Sequence, residues 1–148
     1  FGVSHDAADP IGINVFAGKD KATVVTDTGV ISDSILRRMD DTTLLVLEAN
    51  YDPHMLRFGP YQPFLKQRVA SDEGHLSNEM AAQALLMMNR PDFMQVILAH
   101  RSENNNNAVL VTQTIGKMLV DGGVRIGPEM KLQHGQPNEI VSMQSVKR

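Results

Sequence analysis

A chain of 148 residues with 42% apolar and 21% charged residues suits one domain with a single core and is too apolar to stay disordered over most of its length. Its formal charge of -3 rules out a general polycation, so any affinity for nucleic acid must come from a local basic cluster. Cysteine is absent, which excludes disulfide frameworks and thiolate metal sites, is compatible with a reducing cytoplasm, and leaves His and carboxylates as the ligands of any transition metal, a donor set that suits Zn or Mn.

In chain order, Phe1, Gly2 and Val3 read as the end of a strand. An opening on Phe1 rather than Met points to a fragment or processed product, or to a trimmed tag. Gly12 to Ala17 and Lys21 to Thr26 read as a hairpin turned by Gly18-Lys19-Asp20. Ser32 or Asp33 caps a short helix through Met39, with Ile35 and Leu36 facing inward. Thr43 to Leu47 is a continuous apolar run, as expected of a buried strand. Pro53, Gly59, Pro60 and Pro63 break the next stretch into short helical pieces. Ser77 and Glu79 open a helix whose Met80, Ala81, Ala84, Leu85 and Met88 form a core stripe rather than a row of metal ligands. Gln95 to Ala99 is a second buried strand that runs into His100. Asn104 to Asn107 form a loop and cap before a helix over Ala108 to Leu119, stopped by Gly122-Gly123. Glu129 to Leu132 and Glu139 to Met143 are weaker strand candidates. Strands alternate with helices, so the class is α/β. No apolar run approaches the roughly 20 residues of a membrane span, and no signal peptide is visible.

His5, Asp27 and His100 each follow an apolar strand-like segment. In α/β sheets ligands gather beyond the carboxyl ends of strands, and two imidazoles with a carboxylate can hold a borderline metal there. Each also has a plain structural explanation: a hydrogen-bonded His at a strand end, or a turn at Asp27-Thr28-Gly29. Glu48 follows the Thr43 to Leu47 strand, and His75 lies at the entry to a helix. A helix N-terminus offers free N–H groups to a phosphate, and an imidazole beside it can protonate a leaving oxygen if a carboxylate fixes its tautomer. Ordinary capping by Ser77, with His75 as a solvated neighbour, is the alternative. His54 and His134 read as surface residues.

Taken together these segments resemble one superfamily. Ser4-His5-Asp6-Ala7-Ala8-Asp9-Pro10, Val25-Thr26-Asp27-Thr28-Gly29 and Leu98-Ala99-His100-Arg101-Ser102 are similar to the third, fourth and fifth metal motifs of metallo-β-lactamase-fold hydrolases. The separation of His5 and Asp27 resembles that of the ribonuclease J-like branch. Leu47-Glu48-Ala49-Asn50 and Gly74-His75-Leu76-Ser77 resemble the glutamate and histidine motifs of the ribonuclease Z branch. The combination, from about Phe1 to Asp121, is most similar to the YycJ-like (WalJ-like) group.

The resemblance implies the C-terminal half of an αββα sandwich, a mixed sheet with flanking helices. Residues 1–123 would form that half-domain, and residues 124–148 a tail whose short strands complete it. It implies a phosphodiester hydrolase, a DNA exonuclease, using two divalent ions (Zn or Mn). His5 and His100 would each bind one ion, Asp27 would bridge both, His75 would act as general acid held by Glu48, and Ser77, Asn78 and Ser102 would contact the substrate. The signature His-x-His-x-Asp-His is absent, for none of the five histidines lies two residues from another. The chain alone is therefore expected to hold metal partly or not at all and to be inactive. Its partners would be DNA rather than RNA, and the missing N-terminal half or a second copy of itself, in the cytoplasm and away from membranes. Two other readings are a noncatalytic binding or regulatory module that keeps the fold, and a metallohydrolase acting on a thioester, lactone or cyclic nucleotide.

Overall fold

The computed structural model of the chain describes residues 1–136 and 139–142. Its elements run β1 (Ile13–Ala17), β2 (Asp20–Val25), α1 (Asp33–Met39), β3 (Leu44–Glu48), α2 (Pro53–Phe58), α3 (Pro63–Val69), α4 (Asn78–Met87), β4 (Met94–Ala99), α5 (Ala108–Asp121) and β5 (Met130–His134). They form an α/β fold around one mixed sheet with strand order β1-β2-β3-β4-β5. β1 is antiparallel to β2, and every later neighbour pair is parallel.

Local chemistry sets the element boundaries. Ala17 pairs with Asp20 across a two-residue turn in which Gly18 takes φ 61°, a conformation that suits glycine and the twist of a hairpin. Ser32, Asp52, Ser77 and Asn107 cap α1, α2, α4 and α5, each accepting a hydrogen bond from a backbone N–H of the first turn. Pro53 and Pro63 stand in the first turns of α2 and α3, where a missing N–H costs nothing.

The parallel strands follow one another in sequence across the sheet. Crossovers of one hand that all step in the same direction put their helices on the same face. The core agrees. Val25, Leu45, Leu47, Met94, Val96, Leu98 and Met130 of the sheet are buried in one cluster with Ile35 and Met39 of α1, Ala81, Ala84 and Leu85 of α4, and Val111, Ile115 and Leu119 of α5. The opposite face behaves differently. Ile13, Val24, Val46 and Ile97 lie in one cross-strand row. Ile13 is 47% exposed, and Val24, Val46 and Ile97 are only half-buried. Helices α2 and α3 pack through a separate small cluster of Tyr51, Leu56, Val69, Tyr61 and Leu65. No helix among the described residues is long and apolar enough to cross a membrane.

Four expectations shift. The strand expected over Thr43 to Leu47 runs one residue later, so Glu48 is its last residue rather than its neighbour. The hydroxyl of Thr43 instead donates to the carbonyl of Lys21. The first tail candidate becomes β5, displaced to Met130–His134. Of the second, Glu139 to Ser142 form no strand and Met143 lies outside the described residues. His134 is less open than a surface residue would be. It ends β5 half-buried, with Nε2 and the Thr112 hydroxyl 2.8 Å apart. Burial, helped by the charge of Arg101, lowers its pKa.

Candidate active site at the carboxyl ends of the strands

Because β2, β3 and β4 are parallel neighbours, their carboxyl ends share one edge of the sheet. Asp27 lies just beyond β2, Glu48 ends β3, and His100 follows β4. His75 arrives from the loop between α3 and α4, where its N–H donates to the carbonyl of Val69. Gly74 makes this approach possible, since a Cβ there would lie 2.2 Å from the carbonyl oxygen of Arg68. Gly29 does the same across the site, because its Cβ would strike the backbone of Ser71 and Asp72. Its N–H donates to the carbonyl of Ser4, which brings the His5 segment alongside.

The centre of the cluster is Glu48, with a side chain that is 0% exposed. Its Oε1 lies 2.7 Å from Nδ1 of His75 and 2.8 Å from Nδ1 of His100. Its Oε2 accepts the N–H of Thr28 at 3.1 Å. Burial pushes the carboxyl pKa up, but the hydrogen bonds from His100, His75 and Thr28 outweigh it and hold the group below the usual carboxylate value. The bond to Glu48 raises His100 above an ordinary histidine, against the opposing effect of burial. With both Nδ1–H groups directed at one carboxylate, His75 and His100 each present Nε2 outward, the arrangement that fixes a tautomer for proton transfer or ligation.

The rim is looser. Nε2 of His100 lies 3.6 Å from Oδ1 of Asp27, and both side chains are more than two-fifths exposed. Rings of His5 and His75 stand 5.2 Å apart, and those of His75 and His100 5.1 Å. Nδ1 of His5 accepts the N–H of Ala7 at 3.1 Å and lies 3.3 Å from Oδ1 of Asp6. Asp6 is held by two N–H groups of Arg68, which lower its pKa. Asp27 and His100 both occupy the left-handed region, at φ 55° and 52°. Such backbone costs on the order of 1–3 kcal/mol and persists where the surroundings enforce it. At His100 that enforcement includes the Asn50 side chain, whose Nδ2 donates to the His100 carbonyl at 2.8 Å.

His5, Asp27 and His75 offer ligand atoms that all lie within 4.8 Å of one another, and so do Glu48, His75 and His100. The first set leaves room for an ion with bonds of about 2 Å, and its nitrogen and oxygen donors fit Zn or Mn. The second is already closed by short hydrogen bonds through Nδ1, so it works as a clamp. The structure thus gathers all five expected residues. It also adds a role not expected for Glu48, which holds His100 as well as His75, and it sets His75 within reach of the ions that His5 and Asp27 would bind.

The three residues expected to touch substrate are placed less openly. Ser77 is 4% exposed and caps α4. Asn78 is fully buried, in a reciprocal amide pair with Asn106 at 3.1 and 2.9 Å. Both therefore shape the site from behind, because their polar atoms are spent inside the protein. Ser102 is half-buried, and its hydroxyl accepts from the N–H of Asn105. It lies beside a cleft of about 570 Å³ lined by Ala99, His100, Arg101, Asn106 and Asn107. Sequence reasoning missed Thr28, Asn50 and Asn106. The run Asn104 to Asn107 was the available signal, since a buried amide in a loop must find partners.

No protein-family profile matches the chain. Among curated proteins it is 34% identical over 146 residues to a Bacillus anthracis protein named exodeoxyribonuclease YycJ, covering 99% of this chain and 55% of that protein. It is also 34% identical over 138 residues to a Streptococcus pneumoniae protein named exodeoxyribonuclease WalJ, covering 93% of this chain and 51% of that protein. The chain spans about half the length of the curated relatives it matches. It is similar to the YycJ/WalJ group, as its motifs anticipate.

Proposed function

We propose that this chain is the C-terminal half of a metallo-β-lactamase-fold domain in a metal-dependent, cytoplasmic DNA exonuclease. The observation that carries the reading is the convergence of His5, Asp27, His75 and His100 around buried Glu48 at one sheet edge. The exodeoxyribonuclease names of relatives that are nearly twice as long support the activity and the partial extent. The half-open apolar face of Ile13, Val24, Val46 and Ile97 supports a partner layer, supplied by the rest of a longer polypeptide. Residues 1–123 and the tail through β5 then belong to one domain, since β5 pairs with β4.

In this reading His5, Asp27 and His100 contribute to the holding of two divalent ions, Zn or Mn. When bound, such ions lower the pKa of water and offset the charge of a phosphodiester. The chain's own residues do the positioning. Glu48 keeps Nδ1 of His75 protonated and turns Nε2 to the cleft. A proton carried there passes to the departing ester oxygen. The cleft beside α5, lined by Arg101 with Glu103 also present, borders the path of the substrate backbone, and Ser102 stands between those two residues in the chain.

The test compares the full-length polypeptide with residues 1–148 for metal content and for nucleotide release from end-labelled DNA. The expected result is metal-dependent release by the full-length protein, with little metal and no release from the short chain. Tight metal binding by the short chain alone would overturn the half-site reading. Absence of phosphodiester cleavage by the metal-loaded full-length protein would overturn the nuclease reading in favour of a noncatalytic module.

A further inference from the structure

We propose that α2 and α3 form a stacking platform that receives single-stranded DNA at the entrance to the cluster. This rests on the nuclease reading above and assigns surface residues that the cluster does not use. Phe58 and Phe64 are 67% and 71% exposed. Neither ring is needed by the small core beneath, which Leu56, Leu65, Val69, Tyr51 and Tyr61 fill. Phe58 is also dressed in a particular way. The His54 ring packs against it at 4.6 Å, and the Arg57 guanidinium lies 5.3 Å from its centroid. Lys66 of α3 reaches back to the carbonyl of Arg57 at 2.8 Å, which sets an ammonium at the junction of the two helices.

Charge points the same way. Residues 53–71 carry Arg57, Lys66 and Arg68 and no Asp or Glu, and since Asp6 pairs with Arg68, Arg57 and Lys66 are the cations left to meet phosphates. A local patch of cations with solvent-facing phenyl rings matches what a single strand presents: phosphates for the cations and base faces for the rings. The patch is also tied to the cluster. Arg68 of α3 binds Asp6, the neighbour of His5, and the last residue of α3, Val69, accepts the N–H of His75. A strand lying on Phe58 and Phe64 would be led along α3 toward the segments that carry His5 and His75. Duplex DNA hides its base faces, so the platform favours an unpaired end.

The experiment uses the full-length protein. Binding of a fluorescein-labelled oligo-dT is followed by anisotropy in EDTA, and hydrolysis is followed on single-stranded DNA and on bis(p-nitrophenyl) phosphate, which is too small to reach the platform. The double variant Phe58→Ala/Phe64→Ala should bind the oligonucleotide about tenfold or more weakly. It should raise KM for DNA, leave kcat nearly unchanged, and hydrolyse the small ester like the parent. Phe58→Trp/Phe64→Trp should restore binding. Arg57→Ala should flatten the dependence of log affinity on log salt by about 0.7. Unchanged oligonucleotide affinity in the double alanine variant would overturn the platform while leaving the nuclease intact. A fall in denaturation midpoint with loss of both activities would also overturn it, by showing the rings to be core of the complete protein. If the parent cleaves neither substrate, it is the nuclease reading that fails.

Discussion

The floor and the rim of the cluster each hold a carboxylate, and the two are built on opposite terms. Glu48 on the floor is fully buried and accepts hydrogen bonds from His75, His100 and the Thr28 amide. Asp27 on the rim is 46% exposed, sits in strained left-handed backbone, and has His100 at 3.6 Å as its near partner. A carboxylate has about four acceptor positions. Glu48 has committed three, so little is left for an ion, whereas Asp27 keeps most of its lone pairs. The difference separates the residue that orients from the residue that is free to ligate, and it depends on burial rather than on residue type.

His75 belongs to both regions, through Nδ1 on Glu48 and through its ring against His5, and its removal should have the largest effect. In the full-length protein, His75→Ala is expected to lower turnover about 10²–10⁴-fold, the range for loss of a general acid, with metal content unchanged. Metal analysis beside the kinetics decides the point. A matching loss of metal would move His75 from the floor to the rim, as a ligand with His5 and Asp27.

Glu48→Ala should come next. It strips two imidazoles and a buried amide of their shared acceptor, at a cost on the order of 3 kcal/mol. Urea denaturation of this chain measures it. A cost below about 1 kcal/mol would mean that the clamp contributes little and that burial of Glu48 serves another purpose. Asn106→Ala should cost less, about 1–3 kcal/mol. It orphans Asn78 and the carbonyl of Ala49, which Asn106 satisfies from inside. Its sharper effect should be on geometry, since Asn106 ties the end of β3 to the start of α4 and so sets Glu48 against His75.

Much of this arrangement was legible because strand ends announce themselves. The apolar run at Gln95 to Ala99 breaks at a histidine, and the caps Ser32, Ser77 and Asn107 precede amphipathic stretches. What stayed hidden depends on pairing across the sheet. That His100 meets Glu48 follows from the register Glu48↔Ala99, and that His75 shares the same oxygen follows from the fold of the loop before α4, neither of which a local pattern encodes. The shift of β3 by one residue has the same origin. A run of apolar residues marks a buried strand, but a buried carboxylate can extend it when its partners come from distant segments. The resemblance implies that Ser77 and Asn78 touch substrate. Here the Asn78–Asn106 amide pair closes the start of α4.

Asp27 offers the smallest change in stability and the cleanest separation of strain from ligation. At φ 55° a Cβ is disfavoured, although Asp tolerates this region better than most residues. Asp27→Gly relieves the strain but adds freedom to the unfolded chain, and the two effects nearly offset. Asp27→Ala keeps the strain and loses the local polar compensation. The glycine variant is therefore expected to be more stable than the alanine variant by about 1 kcal/mol, while both bind Mn or Zn equally poorly in the full-length protein. Denaturation midpoints and calorimetric metal titration read the two properties separately. Equal midpoints would show that the left-handed backbone at Asp27 constrains nothing. Metal affinity surviving in Asp27→Gly would remove Asp27 from the ligand set and leave the rim with imidazoles alone.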